Sequence, residues 1–268
     1  MSALRDPRSD RIESYQAERN RSRWWGRVAW VALLGVLAVS LAPLLSVTDW
    51  AGLAETPRVL RDVASRSWPP STEILAELGP ALLETLHLTT LGTGLALLLA
   101  VPIALAAAST TMPIAPVRGV ALLVIAGSRS INALIWALLF VALVGPGLFA
   151  GILAVGIRSI GFCAKLLYEA LEEVDPVPLE AIRSTGASSL GVIAWGIVPQ
   201  ILPSFTSIAW LRWDINVRES TVVGLVGAGG IGLALQESTQ TMRWDETAMI
   251  LLIILLIVTF SDWAADRI

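Results

Sequence analysis

Long apolar runs, broken by short polar stretches, dominate the pattern of this chain. The runs are Val28 to Leu45, Leu82 to Ala108, Arg118 to about Val144, about Leu148 to Leu167, Ile201 to Leu225 and Ala248 to about Trp263. Stretches of about 18 or more apolar residues are what a helix needs to cross the hydrocarbon core of a bilayer. The strict alternation of a membrane β-barrel is absent. The pattern therefore predicts an all-α polytopic membrane protein with about six transmembrane helices.

The polar stretches set its organisation. Residues 1–27 form an arginine-rich tail holding Arg5, Arg8, Arg11, Arg19, Arg21, Arg23 and Arg27. The run at 28–45 is longer than a signal-peptide core and has no small-residue cleavage site close behind it, so it reads as an uncleaved first span. The arginines place the N-terminus in the cytoplasm by the positive-inside rule, with Trp24, Trp25 and Trp30 at the inner interface and Trp50 at the outer one. Residues 46–80 form an extracytoplasmic segment with a short surface helix, and residues 81–268 hold five further spans. Pro102 interrupts the second span. Ser109 to Pro116 is an inner turn and Gly145-Pro146-Gly147 an outer one. A short outer loop carries Arg243, Trp244 and Asp245, and the chain ends inside at Arg267. Six spans put both termini, and the loop at 171–199, in the cytoplasm.

Composition narrows the class. Of 268 residues 55% are hydrophobic and 15% charged, and the mean hydropathy is +0.70, too apolar for a soluble domain of this length. A lone cysteine, Cys163, excludes an intramolecular disulfide, and a lone histidine, His87, argues against a histidine-based zinc or haem site. His87 reads as a polar packing residue rather than a proton relay. Gly92, Gly94 and the small residues from Ala104 to Ala108 read as close-packing positions. The tail carries acids among its arginines and no nucleic-acid-binding motif, so no nucleic-acid partner is expected. No Walker A motif and no soluble catalytic domain are present.

Several charges fall within the apolar runs. Arg129 lies in the third, Arg158 in the fourth, and Arg212, Asp214, Arg218 and Glu219 in the fifth. A lone charge at mid-bilayer costs at least about 2.5–3.5 kcal/mol, so each must face a partner or water. Asp214 and Arg218, four apart on a helix, can pair on one face. Arg129 and Arg158 have no evident partner within their own spans. Two readings stand: interhelical pairing that fixes the bundle, or a wet passage for an anion lined by Arg129, Arg158, Asn216 and Arg218.

Two further segments are irregular. Glu180 to Pro199 is too polar to span. Asp175 can N-cap a helix, Pro176 suits its first turn, Gly186 allows a bend, and Ser188 or Ser189 can cap a second short helix running towards Pro199. The segment reads either as a connector or as a docking element for a soluble partner. Gly227, Gly229, Gly230 and Gly232 form an outer glycine loop. Their spacing imitates a dinucleotide fingerprint, but no βαβ unit surrounds them. Irregular backbone at the membrane edge must be protein-buried or line water, and a re-entrant loop at the mouth of a passage fits.

Glu180-Ala181, then Gly186, then Pro199, at these spacings, resembles the EAA loop of the membrane permeases of type I ABC importers. Ile182, Gly196 and Val198 depart from that pattern, which has alanine, isoleucine and leucine there. Asn216 to Gly232, Glu84-Thr85-Leu86, Gly161 with Lys165 and Glu169, and Arg129-Ser130-Ile131 resemble the phosphonate permease subfamily. Asn132 stands where that subfamily has proline. The resemblance covers about residues 80–268, and methionine permeases share a similar glycine run.

The resemblance implies a non-enzymatic permease subunit of the bacterial inner membrane. It would work as a homodimer with two cytoplasmic ATPase subunits and an extracytoplasmic binding protein, and import phosphonate or phosphite anions. Glu180, Ala181, Gly186 and Pro199, within the loop at 175–199, would couple to the ATPase. The chain itself would hold no cofactor, ATP and Mg being bound by the ATPase. The alternatives are a permease for another small solute such as methionine, or a self-contained channel or secondary transporter. No inverted repeat in the hydropathy favours the last.

Overall fold

The computed structural model describes residues 7–47 and 50–265, with side chains from residue 24 onward except 44, 48–51, 53 and 54. The tail arginines up to Arg23, Trp50 and Arg267 lie outside the described side chains. The described residues are helical and form no strand. They divide into two compact units, up to Asp62 and from Val63.

In the first unit, α1 (Pro7–Val47) contains the whole of the expected first span. Its part from Trp24 to Val47 is long and apolar enough to cross a membrane. Described side chains there are exposed, as on a helix whose solvent is lipid. α2 (Trp50–Ser67) is the short helix expected in the segment that follows.

The second unit is built on α3 (Leu75–Ala107), α6 (Leu148–Glu172) and α9 (Val198–Gly224). α3 and α6 share the most extensive helix contact. Small residues let them approach. A β-carbon on Gly92 would meet Val155 Cγ1 at 3.2 Å, and one on Gly156 would meet the Gly92 carbonyl oxygen at 3.3 Å. Dispersion at such crossings replaces the hydrophobic effect, which is weak between helices in lipid. Ala104, Ala107 and Ala108 are buried, as close-packing positions should be, whereas Gly94 and His87 face outward from this unit. His87 is therefore not packed within this unit. α3 also starts earlier than expected and runs through Pro102 without a break. The N–H that Pro102 lacks would have met the carbonyl of Leu98, which lies on an exposed face, a defect that membrane helices tolerate.

The third apolar run is the main departure. It is two helices, α4 (Ala115–Ser130) and α5 (Ala133–Val144), bent by 89°. At 1.5 Å per residue neither reaches the roughly 30 Å of a hydrocarbon core alone. Asn132 causes the break: its side-chain oxygen accepts from the Leu134 N–H at 3.0 Å and so starts a new helix. With this pair counted as one span, the described residues hold six candidate spans, the others being Trp24–Val47, Leu75–Ala107, Leu148–Glu172, Ser189–Gly224 and Trp244–Ala265.

α7 (Pro176–Ser184) and α8 (Ser189–Val192) lead through a π-helical turn, Ile193–Ile197, directly into α9. The second helix of the polar segment is thus not short; it is the start of a long span, and Pro199 lies within it. A proline there removes a helical hydrogen bond and crowds the preceding turn, which widening to a π-turn relieves. Past α9 the glycine stretch turns the chain into α10 (Ile231–Gln240), a helix that the apolar pattern does not reveal, and then into α11 (Trp244–Ala265).

Candidate functional site

The polar segment is anchored on one face and open on the other. Asp175 caps α7 by accepting from the Val177 N–H at 2.9 Å, and Ser188 caps α8 by accepting from the Gly191 N–H at 3.2 Å. Gly186 makes the bend at φ +81° with open space around it, so backbone conformation and not crowding selects glycine. Leu179 is buried and shares one core cluster with Ala104 of α3, Leu171 of α6, Val192 and Ile197. Opposite it, Val177, Glu180, Ala181 and Ser184 are exposed at helical spacing. Gln200 closes the base: its Oε1 accepts from the Asp175 N–H at 3.1 Å, and its Nε2 donates to the Gly196 carbonyl at 3.0 Å. Beside it the α3–α4 turn is tied to α6, since the backbone N–H and hydroxyl of Ser109 both donate to Glu172, at 3.1 and 3.0 Å.

At the other end of α9 the glycine loop is sealed in protein. Gly230 takes φ +73°, and its N–H donates to Glu84 Oε2 at 3.0 Å. The Ile231 N–H donates to Thr85 Oγ1 at 2.9 Å, and the Gly147 N–H to the Gly227 carbonyl at 2.8 Å. α9 and α10 touch backbone to backbone, because a β-carbon on Gly232 would lie 2.1 Å from the Thr221 carbonyl oxygen. Residues 228–232 are buried. Of the two ways to accommodate irregular backbone at this depth, burial in protein is the one adopted here. Glu84 and Thr85 supply the missing hydrogen-bond partners.

The intramembrane charges but one are paired, some within α9 and some across helices. Asp214 and Arg218 pair on one face of α9, as their spacing implies, and Arg218 also pairs with Asp262 of α11. The buried Ser261 hydroxyl donates to Asp214. The Glu219 carboxylate sits between two arginines, paired to Arg158 of α6 through one oxygen and to Arg212 at 3.0 Å through the other. Arg212 is fully buried; its Nε donates to Ser159 Oγ at 2.8 Å, and its guanidinium lies 5.1 Å from the Phe162 ring centre. The expectation that Asn216 faces a passage does not hold in this conformation. Asn216 is completely buried, accepting from Ser159 at 3.1 Å and donating to Thr93 at 2.8 Å. Its work is to lock α9 to α6 and α3.

Arg129 is the exception. It is exposed near the end of α4 and makes no ion pair among the described residues. Its Cγ lies 2.9 Å from where a Gly161 β-carbon would sit, so α4 crosses α6 at that glycine. Ser128 donates to the Ile157 carbonyl at 2.6 Å beside it. Lys165, paired with Glu169, stands one turn further along α6. Arg158, Arg129 and Lys165 therefore form a cationic seam along α6, with Arg129 at its crossing with α4 and Arg158 turned to Glu219 of α9. Sequence spacing names these residues but does not bring them together.

A helical bundle with a bend-capped polar segment at one end fits a transport permease, and comparison with known proteins shows the family. Residues 100–268 match the family described as "Binding-protein-dependent transport system inner membrane component". The chain belongs to that family, the multi-pass inner-membrane permeases of type I ABC importers. It is 36% identical to the phosphite transport system permease protein PtxC of Stutzerimonas stutzeri over 239 residues, which is 89% of this chain and 87% of that one. It is 39% identical over 200 residues to the phosphate-import permease protein PhnE of Mycolicibacterium smegmatis, covering 75% of this chain and 38% of that protein. In fold it resembles a chain of the MetNI methionine ABC transporter, with a TM-score of 0.64 over 74% of this chain and 96% of that one, at 24% identity.

Proposed function

We propose that this chain is the permease subunit of an ATP-driven importer for small phosphorus oxyanions, phosphite or organophosphonates. The observation that carries this reading is the match to a phosphite permease along almost the whole of both chains. The cationic seam of Arg129, Arg158 and Lys165 supports an anionic cargo. In this reading two copies form the pathway, with both termini and α7 in the cytoplasm. An extracytoplasmic binding protein delivers the anion to the end that holds the glycine loop.

ATP and Mg bind to a separate ATPase subunit, which docks on residues 175–199. Val177, Glu180, Ala181 and Ser184 offer it a contact face whose other side is fixed in the bundle. A short element held in this way passes rigid-body displacement to the spans on either side. Gly186 supplies the bend between α7 and α8, and Pro199 lies within the span that follows.

The test is uptake of phosphite and methylphosphonate into liposomes holding this chain with its ATPase and binding protein. ATP-dependent uptake of either is the expected result. Uptake of neither, with methionine taken up instead, overturns the substrate assignment; uptake without the ATPase overturns the importer reading altogether.

A further inference from the structure

The two arginines that share Glu219 are held very differently. Arg212 is 1% exposed, backed by Ser159 and by the Phe162 ring, and Ser159 is in turn held through Asn216 to Thr93. Arg158 is 29% exposed, and among the described residues its guanidinium pairs with Glu219 alone. Glu219 is itself 21% exposed. The carboxylate therefore has a fixed anchor behind it and a loosely held cation in front.

A guanidinium binds a carboxylate, a phosphite or a phosphonate through the same pair of N–H···O contacts. Exchanging one such anion for another on Arg158 leaves its charge compensated throughout. That makes the exchange far cheaper than baring a charge at membrane depth. Arg129, without an ion pair among the described residues, meets α6 at Gly161, three residues along the helix from Arg158, and adds positive potential there.

We propose that Glu219 acts as a built-in stand-in for the cargo: an entering oxyanion displaces its carboxylate from Arg158, while Arg212 keeps the other carboxylate oxygen. When the anion leaves, Glu219 returns. The returning carboxylate supplies the competition that keeps the site weak, and a site that holds its ion too firmly does not conduct. This rests on the oxyanion-importer reading above.

The experiment is arginine modification on the whole complex in lipid nanodiscs. Phenylglyoxal labelling of Arg158 is followed by peptide mass spectrometry, with phosphite or inorganic phosphate as protectant. Phosphite is expected to slow labelling of Arg158, and sodium chloride of equal ionic strength is not. In Glu219→Gln, Arg158 is expected to label faster without phosphite, and half-protection to need about tenfold less phosphite, since the competing charge is gone. Glu219→Asp, which keeps the charge but reaches less far, is expected to shift the same way by a smaller factor. It serves where the glutamine variant does not assemble.

Uptake supplies the second arm. Arg158→Gln is expected to lose uptake with assembly intact, and Arg158→Gln/Glu219→Gln not to regain it. Absence of protection at any soluble phosphite concentration overturns the proposal, as does recovery of uptake in the double variant, which a merely structural pair would give. Protection of Arg158 in a complex that takes up no oxyanion would instead count against the transport reading and leave the displacement standing.

Discussion

Ile182 and Leu179 fill the space that a side chain on Gly196 would need. A β-carbon on Gly196 would sit 3.2 Å from Ile182 Cδ1 and 2.6 Å from Leu179 Cδ2. Both Ile182 and Gly196 depart from the loop pattern that the segment resembles, which has a small residue at 182 and a large one at 196. The departures are complementary. Bulk has moved from the π-turn to α7, and the contact between them survives. Gly196→Ile is expected to cost about 1–3 kcal/mol by overpacking, and adding Ile182→Ala to recover part of it. Thermal unfolding of the purified permease, followed by tryptophan fluorescence, measures both.

Gly186 is held at φ +81° with nothing near it. Gly186→Val is therefore expected to strain the backbone alone, by about 1–2 kcal/mol, and Gly186→Asn much less, since asparagine tolerates that region. The valine variant should reach the membrane normally, yet its complex with the ATPase should hydrolyse ATP without matching uptake. Normal coupling in that variant would remove the bend from the transmission path.

Thr85 accepts the Ile231 N–H inside the glycine loop. Thr85→Val keeps the shape and leaves that donor buried without a partner, at a cost of about 1–3 kcal/mol. Gly232→Ala is expected to be worse, because the obstacle is the Thr221 backbone carbonyl at 2.1 Å and cannot rotate away. Yield of folded protein after detergent extraction should rank wild type, Thr85→Val, Gly232→Ala.

Neutralising the arginines one at a time separates packing from passage. Arg212→Gln leaves Glu219 short of its buried partner, and breaking such a pair costs about 3–5 kcal/mol; loss of expression is expected. Arg129→Gln removes a charge that holds no ion pair among the described residues, so expression should persist while oxyanion uptake falls. Western blotting of membranes beside uptake assays reads both outcomes.

Much of this arrangement was legible in the apolar pattern. The runs mark the helices because backbone in lipid must satisfy its own hydrogen bonds, and the Asp175 cap, the Gly186 bend and the Asp214–Arg218 pair are local. What was missed is of two kinds. The break after Ser130 carries no glycine or proline, only an asparagine before an apolar run, a capping signal that continuous hydrophobicity hides. α10 is too short to register as a span and follows glycines that read as loop. The partner of Arg158 and the second partner of Arg218 are a different matter. Glu219 lies 61 residues from Arg158, and Asp262 lies 44 from Arg218. Such pairs depend on how helices rotate against one another, which spacing along one helix does not encode.

The hydrogen bonds from Gln200 to Asp175 and Gly196 have a mechanical consequence. They shut a 25-residue excursion of the chain at its neck, so that the excursion has few soft internal modes left. A displacement at Val177 or Ala181 is thereby tied to the head of α9, about 30 Å along the helix from Glu219. In the proposed coupling, stiffness at the neck would set how much of a docked partner's stroke reaches the charged seam.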